Sequence, residues 1–124
     1  MTKDHRGAAA VEFAIVLPVL LVLLLGIIDF GYAFYVQGAL SNAAREGARD
    51  MAIHNSPAAA RIRVQQAATP LVVPNTAAAI AISPAACAPN TNVTVTVTYT
   101  YTYLTGFFGK SVVMKGKGEM RCGG

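Results

Sequence analysis

Among the residues of this 124-residue chain that could do chemistry, the most informative is a carboxylate set in apolar surroundings. Glu12 is the sole charge in the run AAAVEFAIVLPVLLVLLLGII, Ala8 to Ile28. A charged carboxylate within a membrane helix costs on the order of 2.5 to 3.5 kcal/mol on insertion scales. Such a group either reaches headgroups, takes up a proton, or meets a positive partner, and pairing offsets desolvation only when the partner is close and well placed. The other reactive side chains are sparse. Cys87 and Cys122 lie far from this run, and neither belongs to a C-x-x-C or a Cys/His cluster. They can form one disulfide at most, the alternative being two free thiols. His5 and His54 stand far apart in the chain. With no Ser/His/Asp or Cys/His set, no metal-ligand spacing and no glycine-rich phosphate loop, the inventory points to no enzyme, no metal and no cofactor.

The elements that must position these residues follow from composition. Hydrophobic residues make up 54% of the chain and charged ones 13%, against roughly 25% charged in an ordinary soluble domain. The apolar excess sits mostly in the first quarter, so the chain reads as an anchor followed by a small head. The length excludes a multidomain enzyme. The net charge of +4 comes from ten basic and six acidic residues scattered without a run or stripe, so nucleic acid is not an expected partner.

At about 1.5 Å per residue, a helix over residues 8–28 spans the roughly 30 Å hydrocarbon core of a bilayer. No second candidate occurs downstream. Lys3 and Arg6 precede the run and Asp29 follows it, so the N-terminus is expected in the cytoplasm and the remainder on the far side, where a disulfide can persist. A removable signal peptide is the competing reading, disfavoured by the length of the run and by Glu12 within it. Pro18 removes one helical hydrogen bond and clashes with the carbonyl of Ala14, so a kink is expected there.

The string Arg6-Gly7-Ala8-Ala9-Ala10-Val11-Glu12-Phe13 resembles the processing site of type IV pilin-like proteins. The longer stretch AAAVEFAIVLPVLLVLLLGIIDFGYAFYVQGALSNAAREGARDMA resembles the TadE-like minor pilins, or pseudopilins, of the Flp (tight adherence, Tad) pilus. The resemblance is specific from about Arg6 to Ala52 and looser beyond, and TadF-like and shortened TadG-like chains are its neighbouring alternatives. It implies cleavage by a prepilin peptidase between Gly7 and Ala8, with Glu12 as the fifth residue of the mature chain. A glycine before the scissile bond lets a membrane peptidase approach the backbone. Cleavage would create an α-amino group at Ala8, and Glu12 would neutralise that amine on an adjacent subunit, setting the axial register of assembly.

Beyond Asp29 the helical pattern continues, with Phe30, Tyr32, Phe34 and Tyr35 forming an aromatic belt at the outer interface. Leu40, Ala43, Ala44, Gly47, Ala48 and Met51 then share one face, and Asn42, Arg45, Glu46, Arg49 and Asp50 the other. Small residues at four-residue spacing, Ala39, Ala43, Gly47 and Ala44, Ala48, Ala52, permit close backbone approach. The expected partner is the chain's own β-sheet, with a neighbouring subunit as the alternative. Ser56 and Pro57 form an N-cap and first-turn pair that starts a second helix over about 57–69. A short strand is expected over 77–82. From Asn92 to Leu104 valines and tyrosines alternate with threonines, which predicts a long strand. The loop Thr105–Gly109 leads to a second strand whose Val112, Met114 and Met120 share a face, with Lys115, Lys117, Glu119 and Arg121 on the other. A Cys87–Cys122 disulfide would tie the end of this hairpin to the preceding loop.

The expected fold is α+β: a leader over 1–7, a transmembrane helix over 8–28, its extracytoplasmic continuation over 29–55, and a small head over 56–124. The expected function is non-enzymatic assembly or priming of a Flp/Tad-type pilus serving adherence, biofilm formation or secretion. The implied partners are the prepilin peptidase, other pilins and pseudopilins, the Tad inner-membrane assembly platform and the lipid bilayer. The alternative is an uncleaved single-pass envelope protein whose head binds a partner without any pilus role; a secreted β-rich protein released from a signal peptide is a third.

Overall fold

The computed structural model of the chain describes residues 2–104, 106 and 109–123, with side chains from His5 onward. Of the expected hairpin loop, Thr105, Phe107 and Phe108 lie outside the described residues, as do the side chains of Lys3 and Asp4. The element order is α1 (Thr2–His54), α2 (Pro57–Ala68), β1 (Ile80–Ser83), β2 (Asn92–Thr102) and β3 (Ser111–Arg121). This is an α+β fold with two compact units, Met1–Tyr32 and Ala33–Gly124.

The first unit is helical from Thr2, and the described side chains from His5 to Leu24 are all exposed. Among the described residues there is one helix long and apolar enough to cross a membrane, and none of its most apolar stretch is buried. An apolar surface of this extent is not sustained in water by a soluble fold. Asp29, near the end of this unit, is fully buried.

The second unit holds the core. The six α1 residues expected on the apolar face, Leu40, Ala43, Ala44, Gly47, Ala48 and Met51, are all buried. The helix ends where Asn55 turns into the left-handed region at φ 50°, a conformation asparagine tolerates better than most residues. Its N–H closes the last turn on the Met51 carbonyl at 2.9 Å. Ser56 follows as N-cap of α2, its hydroxyl accepting from the Ala59 N–H at 3.3 Å, and Pro57 opens the helix. α2 buries Ala60, Val64 and Ala68.

The sheet is antiparallel in the order β1-β2-β3. The alternation of β2 appears directly in its burial, with Val93, Val95, Val97 and Tyr101 inside. β3 pairs along the whole of β2, from Asn92 opposite Arg121 to Thr102 opposite Ser111. The short strand lies over Ile80–Ser83 rather than 77–82, paired with Val97 through Thr94 of β2. The Ala79 carbonyl just before it accepts from the Thr98 N–H at 2.7 Å.

Close packing of α1 on the sheet is achieved by glycine. A Cβ built on Gly116 would lie under 3.0 Å from the backbone of Leu40 and Ser41, and one on Gly118 equally close to Ala44 and Arg45. The strand backbone therefore rests on the helix backbone with no side chain between them. Gly47 does the same from the helix side, against the Val64 side chain of α2. The small residues of α1 thus meet the chain's own sheet and second helix.

Candidate functional site

The residues singled out for processing and assembly all lie on α1 in the first unit. Gly7, Ala8, Glu12 and Pro18 are exposed, and nothing lies within 4 Å of a Cβ placed on Gly7. Glu12 is flanked by Val11 and Phe13, which are 59% and 63% exposed. Among the described residues it makes no ion pair. A carboxylate on an apolar helix surface is costly in a membrane unless it meets a partner or takes up a proton. Pro18 lies inside α1, which continues on both sides of it.

The remaining chemistry-bearing residues belong to the second unit. Cys87 and Cys122 form a disulfide with a Cα–Cα distance of 5.6 Å, within the usual range for such bridges. The Cys122 N–H donates to the Thr91 carbonyl at 2.7 Å, so the strand end is held by backbone as well. Asn55 accepts the Cys87 N–H at 2.7 Å through its Oδ1, tying the cysteine loop to the corner between the two helices. His54 Nδ1 lies 3.2 Å from Asp50 Oδ1 one turn earlier on α1. Arg63 on α2 reaches Glu46 on α1 at 3.1 Å, with both side chains partly in solvent, a geometry worth about 0 to 1 kcal/mol. Glu46, Arg49, Asp50, Ile53, Arg63 and Gln66 line a groove between the two helices. Glu46 and Arg63 pair within it, whereas Asp50 Oδ2 is buried with no hydrogen-bond partner among the described residues.

Sequence reasoning passed over two features. Asp29 was a marker of the end of the span, yet it is a buried carboxylate with an interaction partner. Gly116 and Gly118 were given no role, yet they lie against the backbone of α1. Their i,i+2 spacing on the face shared with Met114 and Met120 was the available signal.

Comparison with known proteins adds one match. Residues 7–49 match the family model described as TadE-like protein. No curated protein matches the chain, and no solved structure does. The matched segment contains Gly7, Ala8, Glu12 and Pro18 and runs on to Arg49 among the α1 residues that pack the head. Over residues 7–49 the chain is similar to the TadE-like family.

Proposed function

We propose that the protein is a non-enzymatic pseudopilin of a Tad-type pilus, cleaved by a prepilin peptidase between Gly7 and Ala8 and required for assembly or priming of the filament. The observation that carries this reading is Glu12: an exposed carboxylate without an ion-pair partner among the described residues, on an apolar helix, within the TadE-like segment. Cleavage after Gly7 would remove Lys3, Asp4 and Arg6 and place a new α-amino group four residues before Glu12. Two such helices side by side, staggered along the membrane normal, bring the carboxylate of one to the amine of the other. In a low-dielectric medium that attraction is strong enough to fix the stagger.

Uncleaved, the charged leader would have to be drawn through the bilayer for the helix to leave it, at a cost that holds the precursor in place. The span anchors the chain in the cytoplasmic membrane with the head on the far side, in agreement with the basic residues before it. The other pilins, the inner-membrane assembly platform and the bilayer are then the partners of α1. The test is a Glu12→Ala variant expressed with its peptidase. It is expected to be cleaved as the parent is and to fail to co-purify with the assembled pilus machinery; cleavage followed by normal incorporation sinks the register role.

A further inference from the structure

We propose that the open edge of β2 at residues 98–102 is a docking lane for an extended, uncharged segment of another protein, which adds to the sheet antiparallel to β2 and in line with β1. The site lies wholly within the second unit and is independent of the processing and register roles given to α1. Its first support is a ladder left half made. Along β2 the odd-numbered residues turn their backbone groups to β3, whereas the even-numbered ones turn theirs to β1, where the Thr98 N–H reaches the Ala79 carbonyl at 2.7 Å. β3 accompanies β2 as far as Thr102, but β1 accompanies it only over residues 94–97. The N–H and C=O of Thr100 and of Thr102 therefore face a lane that, among the described residues, holds no strand. The chain leaves this lane for a local reason. The Thr76 hydroxyl accepts the Ala79 N–H at 3.1 Å and the Thr76 carbonyl accepts the Ile80 N–H at 2.9 Å, which winds the approach to β1 into a turn.

The second support is what borders the lane. A groove of about 420 Å³ opens there, lined by Val72, Pro74 and Ala78 from the approach to β1 and by Thr98, Tyr99 and Thr100 from β2, with no charged residue in its lining. Val72 is 83% exposed, an apolar side chain set beside unpaired main chain. The strand over residues 98–102 reads TYTYT, with neither a charge nor a proline, the usual guards of an open edge. The opposite edge of the sheet is guarded. β3 carries exposed Lys115, Lys117 and Arg121, and the Lys115 carbonyl already accepts from the Gln37 Nε2 at 2.8 Å. Main-chain donors and acceptors repeated every second residue, about 7 Å apart, are matched by another extended backbone rather than by a lipid headgroup or a compact solute. An uncharged lining selects uncharged side chains, because a charge brought against it loses water without gaining a partner. That disfavours a second copy as the occupant, since the long strand edge a copy offers is the lysine-bearing edge of β3.

The test is amide hydrogen exchange of the full-length, isotope-labelled chain in detergent micelles, read residue by residue with and without an end-capped Thr-Val-Thr-Val-Thr peptide. Thr100 and Thr102 are expected to exchange fast in the free chain, and about tenfold more slowly with the peptide at about ten times its Kd. Tyr99 and Tyr101, whose amides face β3, are expected to stay slow throughout. The same peptide methylated on its backbone nitrogens is expected to give no slowing. Thr100→Pro removes an edge donor without touching the β3 ladder, and Val72→Asp puts a charge in the groove. Each is expected to abolish the slowing at Thr102 while Tyr101 stays slow, which certifies the fold. Slow exchange at Thr100 and Thr102 in the free chain that disappears on dilution would make a second copy the occupant and overturn the proposal. Slowing at Lys117 or Glu119 instead would put the peptide on β3 and overturn it, as would exchange unaltered at the peptide's solubility limit.

Discussion

At Gly116 and Gly118 the separation of strand and helix is set by the absence of side chains. A methyl group at either position would fall on the backbone of α1, which has no rotamer with which to move aside. Relief would require the helix to lift off the sheet, opening gaps around Leu40 and Val95 in a core that is otherwise close-packed. Overpacking of this kind costs about 1 to 3 kcal/mol or more. Gly116→Ala is therefore expected to lower the unfolding midpoint of the head clearly in urea titration of the detergent-solubilised chain, followed by tyrosine circular dichroism. Val113→Ala, exposed on the outer face of the same strand, is expected to leave that midpoint nearly unchanged. Equal midpoints for Gly116→Ala and the parent would mean that the close approach is not required. Glu12 belongs to the same scale with the opposite logic. Among the described residues it makes no ion pair, and the proposed function gives it one in a neighbouring subunit.

At the scale of elements, the disulfide does what the small core cannot. Among the described residues of the head, the largest fully buried side chains are Tyr101, Leu40, Met51 and Ile80. Small domains with modest cores depend on such staples. The bridge closes a loop with a sequence separation of 35, for which the chain-entropy model gives about 3 to 4 kcal/mol. A Cys87→Ser/Cys122→Ser double variant is expected to lose stability on that order in the same titration, and the parent is expected to show a similar loss after reduction. A parent insensitive to reductant would show that the backbone bond from Cys122 to Thr91 suffices.

The same scale shows what the residues disclose and what they conceal. The alternation of β2 and the apolar stripe of α1 were legible because burial there is carried by side chains, and side-chain type is what periodicity reads. The start of α2 was legible because Ser56 and Pro57 have a local reason to begin a helix. β1 was displaced by three residues at its start. Its position is set by pairing with Val97 through Thr94, a long-range choice that the Ala-rich run from Ala77 does not encode. The glycine seam was hidden for a related reason: a pattern of apolar side chains cannot register a contact made by two backbones. Asp29 was hidden because a charge next to an apolar run reads as a boundary, and no local pattern announces its burial. Of the candidate site, Gly7 and Glu12 fall on one helix and are exposed, a placement that the local sequence pattern already implied.

At the scale of the whole molecule, two compact units share one helix and divide the work. The first exposes an apolar surface whose run from Ala8 to Ile28 carries Glu12 as its one charge; the second builds a stapled core from the same helix, a short second helix and three strands. The TadE-like segment crosses the boundary between them, from Gly7 into the residues that pack the sheet. On the proposed reading, the first unit holds the chain in the membrane until processing and then associates with neighbours, while the head stays folded. The alternative, an uncleaved anchor with a partner-binding head, uses the same two units but gives Gly7 and Glu12 no task.

The most direct test of the central claim is the intact mass and N-terminal sequence of the full-length protein recovered from membranes with and without a prepilin-type peptidase. The account predicts a mature chain beginning at Ala8 only when the peptidase is present. An intact chain from Met1 to Gly124 in both preparations would contradict it and leave a membrane anchor carrying a small stapled head.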